Sequence, residues 1–175
     1  MVFSLVDILE NPGAVLRFDY TTSFADLEIN FQFPFKSLAR VHGEFRNEAG
    51  VLVLDAVCDT VMDYDCSRCA DHVSTDYSLP IEATLSEELE DPDDIANADV
   101  LLIENASIDL DEAVREALIL ESDMVFLCSP DCKGICPQCG TNLNHGECGC
   151  KPEVDPRLAK LAELLEQRRQ SGEDN

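Results

Sequence analysis

Over much of the first half of the chain apolar and polar side chains alternate, the period of two that marks a half-buried strand. Leu27-Glu28-Ile29-Asn30-Phe31-Gln32-Phe33 is one such run, stopped by Pro34. Residues 41–45 form another; Asn47-Glu48-Ala49-Gly50 breaks it before Val51-Leu52-Val53-Leu54, so a hairpin is expected. The alternation resumes through Ala56, Cys58, Thr60 and Met62, which puts Cys58 among buried positions as a small core hydrophobe. Residues 61–64 and 73–83 flank Cys66-Ser67-Arg68-Cys69, predicting a second hairpin with that motif at its tip, and Pro80 marks the latter run as an edge or a bulge. Ahead of the strands, residues 3–10 predict a helical turn ended by Asn11-Pro12-Gly13.

The period then changes to that of a helix. Asp109 reads as an N-cap with Glu112 at the third helical position, and Leu110, Ala113, Val114, Ala117 and Leu118 fall on one face of a core-packing helix over residues 109–120. Asp155 and Pro156 open a last amphipathic helix striped by Leu158, Leu161, Leu164 and Leu165, with Arg168 and Arg169 at its end. Strands first and few helices give an expected α+β fold: an antiparallel, strand-rich N-terminal half and a C-terminal amphipathic helix.

Charge narrows the choice of partners. The chain carries 36 acids against 12 bases, a formal charge of −24. Between Arg68 and Arg115 there are 14 acids and no Lys or Arg, including Glu87, Glu88, Glu90, Asp91, Asp93 and Asp94. This acidic loop, about residues 86–99, reads either as a solvated segment or as a site for a basic partner. Apolar runs such as Val100-Leu101-Leu102-Ile103 are too short to span a membrane, and the N-terminus lacks a basic n-region, so a cytoplasmic protein without membrane contact is expected.

Eight of the nine cysteines lie in two clusters: Cys66 and Cys69, then Cys128, Cys132, Cys136, Cys139, Cys148 and Cys150. Cys136-Pro137-Gln138-Cys139-Gly140 has the form of a zinc knuckle, a turn that lets two thiolates reach one tetrahedral ion. Eight ligands make two closed sites of four, hence about two Zn²⁺ per chain, each four-thiolate site adding a further net −2. The main rival is an iron–sulfur cluster, since Cys132-x3-Cys136-Pro137 echoes part of a ferredoxin run. Disulfides want an oxidising compartment, and a redox pair wants a βαβ context that the strand-like flanks of Cys66 and Cys69 do not supply. His72 and His145 lie beside cysteines but are not needed as ligands, and His42 carries no motif.

The strand-rich half with Cys-Ser-Arg-Cys, the acidic stretch, the helix from Asp109 and the block from Leu127 to Asn144 together resemble the YceD family of large ribosomal RNA subunit accumulation proteins, over nearly the whole chain. The resemblance implies a bacterial, cytoplasmic protein needed for normal levels of large-subunit (23S) ribosomal RNA. Family members that keep the first Cys-x2-Cys but lack the Cys136-to-Cys150 tail imply that Cys66 and Cys69 pair with Cys128 and Cys132, leaving Cys136, Cys139, Cys148 and Cys150 as a second site. The alternative closes Cys66 and Cys69 on Cys136 and Cys139. On the first pairing, residues 1–135 form the main domain with the first zinc site, and residues 136–175 form a zinc knuckle with the terminal helix.

No residue set reads as catalytic, because four-cysteine sites are closed and no nucleophile–base set or phosphate-cradling glycine loop is present. A non-enzymatic factor without a small-molecule substrate is expected. Its partner is a basic ribosomal protein or assembly factor, met by Glu87, Glu88, Glu90, Asp93 and Asp94. The alternative is direct contact with ribosomal RNA through Arg68 and Lys133 brought together at the first site.

Overall fold

The computed structural model describes residues 1–88, 100–150 and 164. The chain forms two compact units, Met1–Cys132 and Lys133–Asn175. In the first unit the elements run β1 (Val2–Ser4), α1 (Val6–Leu9), β2 (Val15–Ser23), β3 (Leu38–Glu48), β4 (Val51–Asp65), β5 (His72–Ser86), β6 (Val100–Leu102), β7 (Ser107–Asp109) and α2 (Leu110–Glu121). A five-stranded sheet has the order β2-β3-β4-β5-β6, and β1 pairs with β7 in a two-stranded sheet.

The expected strand-rich fold with few helices is present, with one correction: β6 joins Thr84–Ser86 of β5 in parallel, so the large sheet is mixed rather than antiparallel throughout. The turn between β3 and β4 is a two-residue loop in which Ala49 and Gly50 both have positive φ, the twist that suits a tight hairpin. Buried Asn47 holds it: its amide donates to the Ile8 carbonyl at 2.8 Å, and its oxygen accepts from the Gly50 N–H at 2.8 Å. Strand β4 runs unbroken for 15 residues, and its 15-residue partner β5 pairs with it from Leu52↔Leu85 to Asp65↔His72. Pro80 sits opposite Val57, in the part of β5 that β6 does not reach, so its missing N–H costs no bond to β6.

Residues 27–33 are not a strand. Asn30 and Phe31 have φ of 52° and 62°, and Ile29 and Gln32 exchange backbone hydrogen bonds of 2.8 and 3.0 Å around them, so the run is a tight turn. Apolar–polar alternation continues through such a turn, which is why periodicity misreads it. Val15–Ser23, by contrast, is a strand to which the sequence reading assigns no element, although Leu16, Phe18 and Tyr20 alternate there with Arg17 and Asp19.

One apolar cluster joins the inner faces of β2–β5 to Leu5 and Ile8 and to Leu110, Val114 and Leu118 of α2. Phe18 and Phe45 belong to it and partly buried Phe3 packs against them, with ring centroids 5.0–5.7 Å apart. Helix α2 is capped as its sequence predicts, the Asp109 carboxylate accepting from the Asp111 N–H at 3.1 Å. Among the described residues no helix is long and apolar enough to cross a membrane. The expected terminal helix from Asp155 lies outside the described residues.

Candidate metal centre

The β4–β5 hairpin ends in a knuckle. Cys66 N–H donates to the Asp71 carbonyl at 2.9 Å, and Ala70 N–H donates back to the Cys66 carbonyl at 2.9 Å, while the Arg68 N–H approaches the Cys66 sulfur at 3.5 Å. In the second unit Cys136 and Thr141 repeat the first of these bonds at 2.8 Å, and Gly140 and Cys136 repeat the second at 2.9 Å. The residue after the second cysteine is left-handed in both turns, Gly140 at φ 73° and Ala70 at φ 59°. Glycine adopts that conformation freely; alanine holds it against a steric penalty.

Two further segments complete the thiol groups. After α2 the chain returns beneath the hairpin tip, where the Phe126 ring lies 4.9 Å from that of Tyr64. The Tyr64 hydroxyl donates to the Leu127 carbonyl at 3.1 Å, and the Ser67 N–H donates to the Phe126 carbonyl at 2.8 Å. Asn30 and Gln32 anchor the same region, the first donating to the carbonyls of Asp123 and Met124 and the second exchanging bonds with the Asp65 backbone. None of these contacts has a local sequence pattern that announces it. They deliver Cys128 and Cys132 to the knuckle: Cys66 and Cys132 sulfurs are 3.7 Å apart, and those of Cys69 and Cys128 are 3.5 Å apart.

The structure therefore brings Cys66, Cys69, Cys128 and Cys132 together as one group and Cys136, Cys139, Cys148 and Cys150 as another, the sulfurs of each within 4.8 Å of one another. Each group could hold a metal ion. For a tetrahedral ion with arms of about 2.3 Å, sulfurs stand about 3.8 Å apart, close to the distances of the first group. In the second unit the loop is shaped by asparagines: Asn144 accepts from the Lys133 N–H at 2.8 Å and Asn142 accepts from the Asn144 N–H at 2.9 Å. Cys66, Cys69 and Cys132 are buried, whereas Cys139 is exposed.

In each group a thiol is poised to ionise. Burial opposes ionisation of Cys66, but hydrogen bonds from the backbone of Cys128, Arg68 and Cys69 outweigh it and lower the thiol to about 6. The Thr141 hydroxyl and N–H bring Cys139 to about 6 as well. Burial and neighbouring thiols push Cys69 upward, and the hydrogen bond with Cys139 pushes Cys150 up to about 12. Four sulfurs this close cannot all ionise by themselves; a bound divalent cation would replace the protons they share.

Neither group contains a histidine. His72 is exposed, with Nδ1 3.1 Å from the Asp65 carboxylate. Cys58 is fully buried in the apolar core, away from both groups. Arg68 is exposed on the first knuckle, its guanidinium donating to the carbonyl of Cys132, the residue before Lys133. Glu87 and Glu88 are exposed just past β5; Glu90, Asp93 and Asp94 lie outside the described residues.

The family model described as large ribosomal RNA subunit accumulation protein YceD matches residues 54–165. An uncharacterized protein of Mycobacterium tuberculosis is 32% identical over 121 residues, 66% of this chain and 56% of that protein. The uncharacterized protein YlbN of Bacillus subtilis is 30% identical over 172 residues, 95% of this chain and 98% of its own length. A chloroplastic maize protein, large ribosomal RNA subunit accumulation protein YCED homolog 1, is 31% identical over 141 residues, 64% of this chain and 48% of the plant protein. The chain thus spans little more than half the length of the mycobacterial relative. No solved structure matches.

Proposed function

Since this chain belongs to the YceD family of large ribosomal RNA subunit accumulation proteins, we propose that it is a non-enzymatic zinc-binding factor of ribosome biogenesis. It supports large-subunit ribosomal RNA by binding a basic ribosomal protein or assembly factor. Zinc is the ion that four thiols in a closed tetrahedron favour, and such a site leaves no open position for substrate. Cys66, Cys69, Cys128 and Cys132 hold one ion; Cys136, Cys139, Cys148 and Cys150 hold the other. Bound zinc here supplies structural cross-linking rather than Lewis-acid chemistry.

The observation that carries the choice of a protein partner is the state of the basic side chains. Arg17 is held by Glu44, Arg40 by Asp19, Arg46 by Glu44, Glu48 and Asp55, and Arg115 by Asp26. Among the described residues, Lys36, Arg68 and Lys133 are left without an ion pair. Three such bases among the described residues are a poor footprint for phosphates on a chain of −24, whose bases at Lys151, Arg157, Lys160, Arg168 and Arg169 lie outside the described residues, whereas the acidic run from Glu87 to Asp94 attracts a basic protein at long range.

Association of the full chain with purified large-subunit ribosomal proteins and with large-subunit RNA, measured across salt concentration, tests the reading. Replacing Glu87, Glu88, Glu90, Asp93 and Asp94 by their amides is expected to slow protein association at low salt. Arg68→Ala with Lys133→Ala is expected to change little. If the amide variant binds every protein as before and gains affinity for RNA, the RNA reading through Arg68 and Lys133 takes its place.

A further inference from the structure

The most exposed large apolar side chain among the described residues of the first unit is held in place by an unusual amount of structure. Phe31 is 95% exposed and sits at φ 62°, a left-handed conformation that aromatic residues rarely adopt. Hydrogen bonds fix the turn on both sides of it. Asn30 donates to the Asp123 and Met124 carbonyls at 3.1 and 2.9 Å; Gln32 donates to the Asp65 carbonyl at 3.1 Å and accepts from the Asp65 N–H at 2.7 Å. The first pair of bonds places the turn beside Met124, itself 82% exposed. A chain optimised only for solubility has no reason to pin a phenylalanine in water, because Asn or Gly at this position relieves the backbone and removes the apolar surface.

The surroundings specify the chemistry of what covers it. No Lys or Arg occurs between Arg17 and Lys36, or between Arg115 and Lys133, the two segments that meet here, and Lys36, which lines a shallow pocket with Gln32, Asp63 and Asp65, brings a single positive charge to the edge of the turn. Glu28, Asp65 and Asp123 are exposed on or beside the turn. A second copy of this chain would bring the same negative charge, and a nucleic acid stacking a base on Phe31 would bring its phosphates against these carboxylates. A cationic polypeptide with apolar side chains meets both requirements. We infer that the Phe31 turn and Met124 form the apolar centre of a docking surface for a basic polypeptide segment that carries apolar side chains between its lysines and arginines. This rests on the proposal of a basic protein partner and adds where that partner seats and what, beyond charge, it must present.

The test uses the full chain with its zinc and two labelled synthetic peptides, one of repeated Lys-Leu-Lys-Lys units and one of repeated Lys-Ser-Lys-Lys units, followed by fluorescence anisotropy. The wild-type chain is expected to prefer the leucine peptide. Phe31→Asn with Met124→Ser is expected to weaken leucine-peptide binding by roughly tenfold or more and to leave serine-peptide binding unchanged. Asparagine suits the left-handed turn, so Phe31→Asn alone keeps the fold and reports the same loss in part. Unchanged leucine-peptide affinity in these variants, or no preference in the wild type, overturns the docking surface while leaving an electrostatic protein partner in place. Failure of the wild type to bind either peptide overturns both. Loss of large-subunit RNA binding in the double variant, with peptide binding intact, reassigns Phe31 to base stacking and overturns the inference.

Discussion

Replacing Cys128 by serine breaks the thiol group that joins the hairpin tip to the segment after α2, and its cost can be worked out from the chain it closes. Cys69 and Cys128 stand 59 residues apart with sulfurs at 3.5 Å. A cross-link closing a loop of that length restricts the unfolded chain by about 4 kcal/mol. Part of the closure survives without metal, since the Tyr64–Phe126 ring contact and the hydrogen bonds to the Phe126 and Leu127 carbonyls tie the same segments. The expected loss is therefore about 2–4 kcal/mol, which for a unit of this size lowers its midpoint by roughly 6–20 °C. Cys148→Ser opens a group whose four members lie within residues 136–150, so the Met1–Cys132 transition should stay in place. Calorimetry of both variants, with and without chelator, reads the asymmetry, and amide exchange should rise in residues 66–71 and 126–132 for Cys128→Ser alone. Equal lowering of the main transition by both variants, or a midpoint unmoved by Cys128→Ser, refutes the argument.

Four further outcomes are expected. Purified chain should carry close to two zinc ions, matching the two thiol groups, and be colourless; bound iron with visible absorbance would contradict the zinc assignment. Cys58→Ala should keep that metal content and cost about 1–2 kcal/mol in a denaturant melt, because the fully buried thiol, raised to about 11 first by burial, serves as core packing. Gly43→Ala should cost about 3 kcal/mol or more: an added Cβ would lie 2.2 Å from the Asp55 carbonyl oxygen and 2.6 Å from the Ala56 Cα, both backbone atoms of the adjoining strand, and a melt within error of wild type would show that the strands yield. Ala70→Gly should leave metal content unchanged and stabilise by up to about 1 kcal/mol, since glycine relieves the left-handed residue at a modest entropic cost; a clear loss would show that the Ala70 methyl is needed.

What could be read in the sequence was what local chemistry decides. Helix α2 was legible because its cap at Asp109 and its stripe from Leu110 to Leu118 lie within one element. The β4–β5 hairpin was legible because alternation runs through 15 residues on each side of the knuckle. Spacing favoured the observed grouping of the eight thiols, because Cys136 to Cys150 lie within fifteen residues and need no remote partner, but it left the interleaved pairing open. Tertiary contacts decide it, and the residues that make them, Tyr64 with Phe126 and Asn30 with Asp123 and Met124, are far apart in sequence. The same reasoning covers the parallel strand β6, whose three residues are too few to carry a pattern, and the turn at Asn30 and Phe31, where hydrogen bonds override alternation.

The placement of the first thiol group also orders events during synthesis. Cys69, the later thiol of the knuckle, is synthesised 59 residues before Cys128. At about 5–20 residues per second, a two-thiol half-site exists for roughly 3–12 s before its complement emerges. Cys136 to Cys150 emerge together within about 1–3 s at the same pace. A nascent chain can therefore assemble its later, local thiol group almost as soon as it starts, while the earlier thiols must wait, open to oxidation, until the segment after α2 has been made and has docked at the hairpin tip.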